Sequence, residues 1–302
     1  MMIELEKLST EENNLNSKDI ELQDSLEIVR RINEEDKKVA FCVEKELGSI
    51  SRLIDAILSK YKKETRIIYI GAGTSGRLGI LDASECPPTY GVSFEKVQGI
   101  IAGGNEAIFK AKENSEDNPE LGKQDLLNIN LTENDVVIGL AASGRTPYVL
   151  GAIEYANSIG AITGSITCSK SSDLSKVSQY PIEVPVGAEI VTGSTRMKAG
   201  TAQKMILNMI STTIMIKLGK VFSGYMVDVK TSNQKLIERA KRIIMKTANC
   251  DYEKASDTLK KARSDVKTAI VMILLDIDKN MAMEKLNQCD ENVAKIIHEN
   301  LK

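Results

Sequence analysis

The sequence predicts an α/β protein: a parallel five-stranded sheet sandwiched by helices, with a small all-helical module at its C-terminal end. Three observations predict it. Short apolar runs such as Ile67–Ile70 and Val136–Leu140 lack polar alternation and run straight into glycine or alanine, as strands buried on both faces do. Helical rhythms alternate with these runs, which lays helices on both faces of a parallel sheet. From Val229 onward the chain reads helical, with no further buried strand.

Taken in order, residues 1–18 are polar and irregular and read as an arm. Asp19 to Asn33 is amphipathic, with Leu22, Leu26 and Val29 on one face. Val39 to Tyr61 repeats the pattern through Val43, Leu47, Ile50, Ile54 and Ile57, and both stretches read as core-covering helices. Strands are expected over 66–71, 98–102, 135–141, 161–167 and 180–186. Helices are expected over 76–84, 105–114, 121–128, 147–158 and 199–217. The last of these is apolar on nearly every face, so it must be buried, either within the monomer or against a second subunit. Further helices are expected over 252–262, 266–275, 280–288 and 291–301, with starts signalled at Asp251 and Ser264. The chain thus divides into an N-terminal arm and helices over 1–60, an α/β domain over 61–228, and a helical region over 229–302. The small module lies near 249–302.

Bulk properties exclude several classes. A formal charge of −2 over 302 residues implies neither a nucleic-acid surface nor a polybasic membrane patch. The five cysteines are scattered, without metal-ligand spacing, and point to a reducing cytosol. The start, Met1-Met2-Ile3-Glu4, carries no signal-peptide core, and the greasiest stretch, Met205 to Ile216, is too short to span a bilayer. A cytoplasmic protein follows. The one histidine, His298, lies near the C-terminus, so acid–base work falls to carboxylates, lysine or tyrosine.

The chemistry-bearing stretch is Arg66 to Gly91. Its strand ends in Gly71-x-Gly73-x-x-Gly76, with Thr74 and Ser75 between the glycines, and a helix follows. Backbone N–H groups at such a helix start attract an anion, and the hydroxyls add donors. The spacing also matches the dinucleotide fingerprint, but the next strand ends in Gly103-Gly104 rather than at an acid, with Glu106 just beyond. A second turn, Ser143-Gly144-Arg145-Thr146-Pro147, repeats the arrangement. Two hydroxyl-rich turns suit a phosphate monoester better than a pyrophosphate. A third, Thr192 to Thr201, sets Ser194 or Thr195 to cap the following helix and places Arg196 and Lys198 beside its N-terminus, which suggests an anion between them. Among the acids, Glu85 sits in Ser84-Glu85-Cys86-Pro87-Pro88, where the prolines are expected to stop the helix. Glu113 and Glu116 would share a face if their helix persists. Cys86 reads as a packed thiol, since no histidine is at hand to activate it.

The stretches IGAGTSGRLGILDASECPPTYGV, IIAGG, AASGRTPYVL and TGSTRMKAGTAQK closely resemble the N-acetylmuramic acid 6-phosphate etherase family, over nearly the whole chain. The resemblance implies the sugar-isomerase (SIS), flavodoxin-like fold, a phosphosugar-binding domain over 61–228, a cytoplasmic homodimer, and no metal or nucleotide cofactor. It implies cleavage of the ether joining D-lactate to C3 of the sugar, giving N-acetylglucosamine 6-phosphate and D-lactate. By position in the matched motifs, Glu85 is the acid that helps lactate leave, with a pKa raised by burial, and Glu116 is the C2 base, with Glu113 its nearby competitor. Thr74, Ser75, Ser143, Gly144, Arg145 and Thr146 are the implied phosphate contacts. Ser194, Arg196 and Lys198 are assigned to the lactate carboxylate or the sugar. The competing readings are an aldose–ketose isomerase, an amino-sugar deaminase, and a non-catalytic phosphosugar sensor akin to the glucokinase regulatory protein.

Overall fold

The computed structural model describes residues 12–300 except 111, 113, 230 and 232, so the first part of the arm, and Glu113, lie outside the described residues. The chain separates into two compact units, residues 1–85 with 93–210 and residues 86–92 with 211–302. The division between the units falls within a helix at 210/211, and the N-terminal helices belong to the first unit.

The first unit carries the sheet. Strands β1 (Ile67–Gly71), β2 (Val97–Ile101), β3 (Val136–Leu140), β4 (Ile162–Thr167) and β5 (Tyr180–Glu183) pair in the order β2-β1-β3-β4-β5, all parallel. The order reverses direction at β1, and the crevice beyond the strand ends there is where such sheets bind ligands. Helices α5 (Pro119–Asn128) and α6 (Pro147–Ser158) cover one face, packing Leu126, Tyr148, Val149 and Ile153 on Ile68, Ile70 and Val137. The short α7 (Asp173–Val177) links β4 to β5. On the other face lie α2 (Leu47–Lys60) and α3 (Gly73–Tyr90); α3 comes close enough that a Cβ at Gly76 would sit 2.6 Å from Ile101 Cγ1 and 2.7 Å from the Gly71 carbonyl. Only glycine lets the helix start this near the strand it leaves. Below the sheet, Arg66 forks onto Asp135 with Nε–Oδ1 at 2.9 Å and Nη2–Oδ2 at 2.6 Å, locking the starts of β1 and β3 together.

Several expectations are corrected. The two N-terminal helices are α1 (Ser25–Glu44) and α2, broken at 45–46, and short 3-10 turns at Leu15–Ser17 and Ile20–Leu22 precede α1. Leu22, Leu26 and Val29 do not cover the core; they stand 79, 64 and 57 % exposed. The helix expected over 105–114 is the single turn α4 (Glu106–Phe109), so Glu116 lies in a turn. Pro87 and Pro88 do not stop α3. They sit in its last turn, where each removes only its own N–H, and Gly91 N–H still closes onto the Pro87 carbonyl at 3.0 Å.

Helix α8 (Lys198–Lys217) crosses from one unit into the other, with Ile206, Leu207, Ile210 and Ile214 fully buried. In the second unit, a short hairpin of β6 (Val221–Phe222) and β7 (Tyr225–Met226) precedes α9 (Gln234–Ala248), α10 (Tyr252–Lys261), α11 (Val266–Leu275), α12 (Lys279–Gln288) and α13 (Val293–Asn300). Ala240, Ile244, Leu259, Ile270, Leu286 and Ile296 form its core. Asp251 caps α10 as expected, whereas α11 is capped by Asp265, one residue beyond the expected Ser264. Among the described residues no helix is long and apolar enough to cross a membrane.

Candidate active site

The first turn of α3 follows β1 directly, with Gly73 at φ +51°. Ser75 is 9 % exposed, and its Oγ donates to Gln203 Oε1 at 2.9 Å. Gln203 is the first residue of note that sequence reasoning missed. Its position in a motif rich in hydroxyls and cations drew no notice to an uncharged amide.

The second turn ends β3. Gly144 adopts φ +68°, and a Cβ there would fall 2.3 Å from Ser172 Oγ, so only glycine closes this turn. Ser143 Oγ accepts the Arg145 N–H at 3.4 Å, and the Arg145 side chain is exposed. Thr146 occupies the N-cap of α6 with no side-chain cap bond. The Tyr148 N–H in that first turn donates to the Glu116 carbonyl at 3.0 Å. The loop bearing Glu116 is therefore pinned beside the second turn, with the Glu116 side chain exposed. Arg77, also missed by sequence reasoning, holds α4, the turn that precedes this loop: its guanidinium donates to the Ala107 and Ile108 carbonyls, both at 2.8 Å.

The third turn differs from expectation. The anion at the α8 N-terminus is the protein's own: Glu189 Oε2 accepts Lys198 N–H at 3.0 Å and Oε1 accepts Ala199 N–H at 2.9 Å. Glu189, and not Ser194 or Thr195, caps this helix. Lys198, expected to meet lactate or sugar, is turned away and buried. Its Nζ bonds Glu35 Oε2 at 2.6 Å and the Ala188 carbonyl at 2.7 Å, with both charged side chains 3 % exposed. Arg196 remains exposed and Ser194 half-buried, so these two stay available to a ligand.

Glu35 is the hub of a latch. Lys38 and Asn16 also bond it, at 2.6 Å each, while Asn14 Nδ2 and Ser17 Oγ donate to the Ala188 and Ile190 carbonyls at 2.8 and 2.6 Å. The arm is thereby tied to the loop that starts α8. Burial alone would raise the Glu35 pKa, but the bonds from Lys198, Lys38 and Asn16 outweigh it and hold the carboxyl down at about 2, from an ordinary 4.5. A depressed carboxyl stabilises the fold above its unfolded pKa and loses that contribution as pH falls through its folded one. Acid unfolding is therefore expected to steepen between pH 4.5 and about 2, and Glu35→Gln is expected to flatten this limb when unfolding is followed by circular dichroism.

Glu85 stands within α3, ten residues beyond Ser75, with its side chain exposed. The burial expected of Glu85 is absent from the chain's own surroundings. Helical rise puts Glu85 about 15 Å along the axis from Ser75. Within one chain, then, the Glu116 backbone lies beside the second turn, and Glu85 lies well along α3 from the first.

A strand–turn–helix crevice at the reversal of a five-stranded parallel sheet is the frame of an SIS-domain protein. Family comparison agrees: the N-terminal SIS domain of the glucokinase regulatory protein matches residues 49–157, and the SIS domain matches residues 115–213. N-acetylmuramic acid 6-phosphate etherases from Clostridium beijerinckii and Clostridium botulinum are each 55 % identical, covering 98 % and 97 % of this chain and the same shares of theirs. One from Clostridioides difficile is 53 % identical over 97 % of this chain and 96 % of its own. The chain belongs to the N-acetylmuramic acid 6-phosphate etherase family. A solved phosphoheptose isomerase from Francisella tularensis is similar at 16 % identity and a TM-score of 0.49, over 64 % of this chain and all of that one.

Proposed function

We propose that this chain cleaves N-acetylmuramic acid 6-phosphate to N-acetylglucosamine 6-phosphate and D-lactate, in cytoplasmic recycling or use of wall-derived amino sugar. The observation that carries the reading is the full-length kinship, joined to a residue inventory that fits the reaction. In the open-chain sugar the C1 aldehyde acidifies the C2 proton. Glu116, beside the second turn, takes that proton; the C3–O bond breaks, and Glu85 protonates the departing lactyl oxygen. Water then adds across the C2–C3 double bond, its oxygen to C3 and a proton to C2, with the carboxyls in reversed roles. Two carboxyls suffice, and each contributes about 10²–10⁴ in rate. Thr74, Ser75, Ser143, Gly144, Arg145 and Thr146 hold the 6-phosphate, and Ser194 and Arg196 face the lactyl or sugar hydroxyls. Lys198 holds the loop rather than the ligand.

The separation of Glu85 from Ser75 exceeds the span from the 6-phosphate to C3 of one hexose, so the pairing of Glu85 with Glu116 calls for a homodimer in which each site takes Glu85 from the other copy. Exposure supports this. Leu81, one turn before Glu85, is 50 % exposed, and Leu22, Leu26 and Val29 form an uncovered apolar face in the same unit. Incubation of the purified chain with N-acetylmuramic acid 6-phosphate, without added metal, is expected to release D-lactate, read by a coupled D-lactate dehydrogenase. A chain that binds the phosphosugar yet releases no lactate would return the isomerase or sensor reading.

A further inference from the structure

We propose that Gln203 is a positioning residue that decides whether the Ser75 hydroxyl proton is available to a bound phosphate, an inference that rests on the phosphosugar reading of the site. Ser75 lies in the first turn of α3, where backbone N–H groups favour an anion. The first turn of α8 packs beside it: a Cβ at Gly200 would lie 3.6 Å from Thr74 Cγ2, and Gln203, one turn on, reaches Ser75. In this arrangement the Ser75 proton is committed to Gln203 Oε1, at 2.9 Å. Gln203 is 1 % exposed, and its Nε2 is buried with no hydrogen-bond partner among the described residues. A buried amide nitrogen left unpaired is unfavourable, so its orientation is not held by its own donors.

A primary amide keeps its shape when turned over, exchanging oxygen for nitrogen. Turned, Nε2 donates to Ser75 Oγ from the same place, and the Ser75 proton is released toward the helix start. A phosphate oxygen there accepts that proton in a hydrogen bond. Ligand binding thus pairs Nε2 with the Ser75 oxygen and gives the hydroxyl a charged acceptor in one step; Oε1 takes the unpaired place that Nε2 held, a cost the charged hydrogen bond offsets, with no movement of backbone. Without phosphate the amide turns back and accepts from the hydroxyl again. Gln203 touches no substrate in this scheme; it acts through Ser75.

The test measures binding of N-acetylglucosamine 6-phosphate by calorimetry, beside KM and kcat for lactate release, on the full chain. A glutamate at this position can only accept, so Gln203→Glu is expected to weaken phosphosugar binding and raise KM about tenfold, as Ser75→Ala does, with kcat changed far less. Gln203→Met leaves the Ser75 proton uncommitted and is expected to lose less than threefold. The double variant Ser75→Ala/Gln203→Glu is expected to be no weaker than either single, since both remove one donor. Equal losses in Gln203→Glu and Gln203→Met, no loss in either, or losses that add in the double variant would overturn the proposal. Wild type that binds the phosphosugar without releasing lactate would sink the etherase reading and leave this one standing.

Discussion

Mixing Glu85→Ala chains with Glu116→Ala chains is expected to restore lactate release that neither variant shows alone. Each single change removes one of the two proton-transfer groups and is expected to lower kcat by about 10²–10⁴. If each site takes Glu116 from one copy and Glu85 from the other, a mixed dimer has one site with both carboxyls and one with neither. Random exchange makes half of the dimers mixed, so about a quarter of wild-type activity returns. The alternative, both carboxyls from one chain, predicts no recovery at any ratio. The geometry behind the expectation is plain: α3 is a continuous helix from Gly73 to Tyr90, and it carries Glu85 away from the turn that starts it. Glu85→Ala alone should still exchange the C2 proton of substrate in deuterated water, because Glu116 remains in place.

The second large effect concerns stability. Lys198→Ala leaves the Glu35 carboxylate, 3 % exposed, with Lys38 and Asn16 among its remaining partners. Removing one member of a buried ion pair is typically destabilising by about 3–5 kcal/mol, and that loss is expected in urea unfolding, with an unchanged m-value. The double variant Glu35→Met/Lys198→Met should recover most of it, because an apolar pair of similar volume needs no mutual solvation. A loss under about 1 kcal/mol in Lys198→Ala would mean that the pair behaves as an exposed one and that the latch between the arm and the α8 loop carries little.

The centre of the sheet was legible because β1, β3 and β4 are buried on both faces. Ile67–Gly71 and Val136–Leu140 are apolar throughout and end at turns whose glycines are sterically required, so pattern and structure coincide. The helix over 147–158 was equally legible from its proline start. What failed shares a cause: long-range partners decided it. Lys198 looked like a ligand for an anion because its sequence neighbours are polar, and nothing local shows that Glu35, far earlier in the chain, takes up its charge. The role of Glu189 as cap depends on how the chain folds back to the helix start, which no local pattern shows. Leu22, Leu26 and Val29 have the spacing of a core-facing stripe, and spacing alone does not say whether the stripe faces its own core. Pro87 and Pro88 were expected to end α3, yet in its last turn the pair removes only the two donors that would reach the Ala83 and Ser84 carbonyls, and the turn still closes through Gly91 N–H.

The central claim is that lactate leaves by elimination and that water then adds to the sugar. The reaction run in water enriched in oxygen-18 tests it directly. Elimination followed by hydration places the label in the C3 hydroxyl of N-acetylglucosamine 6-phosphate and leaves the released D-lactate unlabelled by mass spectrometry. Label in the lactate, with an unlabelled sugar, would mean that the bond broken lies on the lactyl side, and it would contradict the roles of Glu116 as C2 base and Glu85 as leaving-group acid.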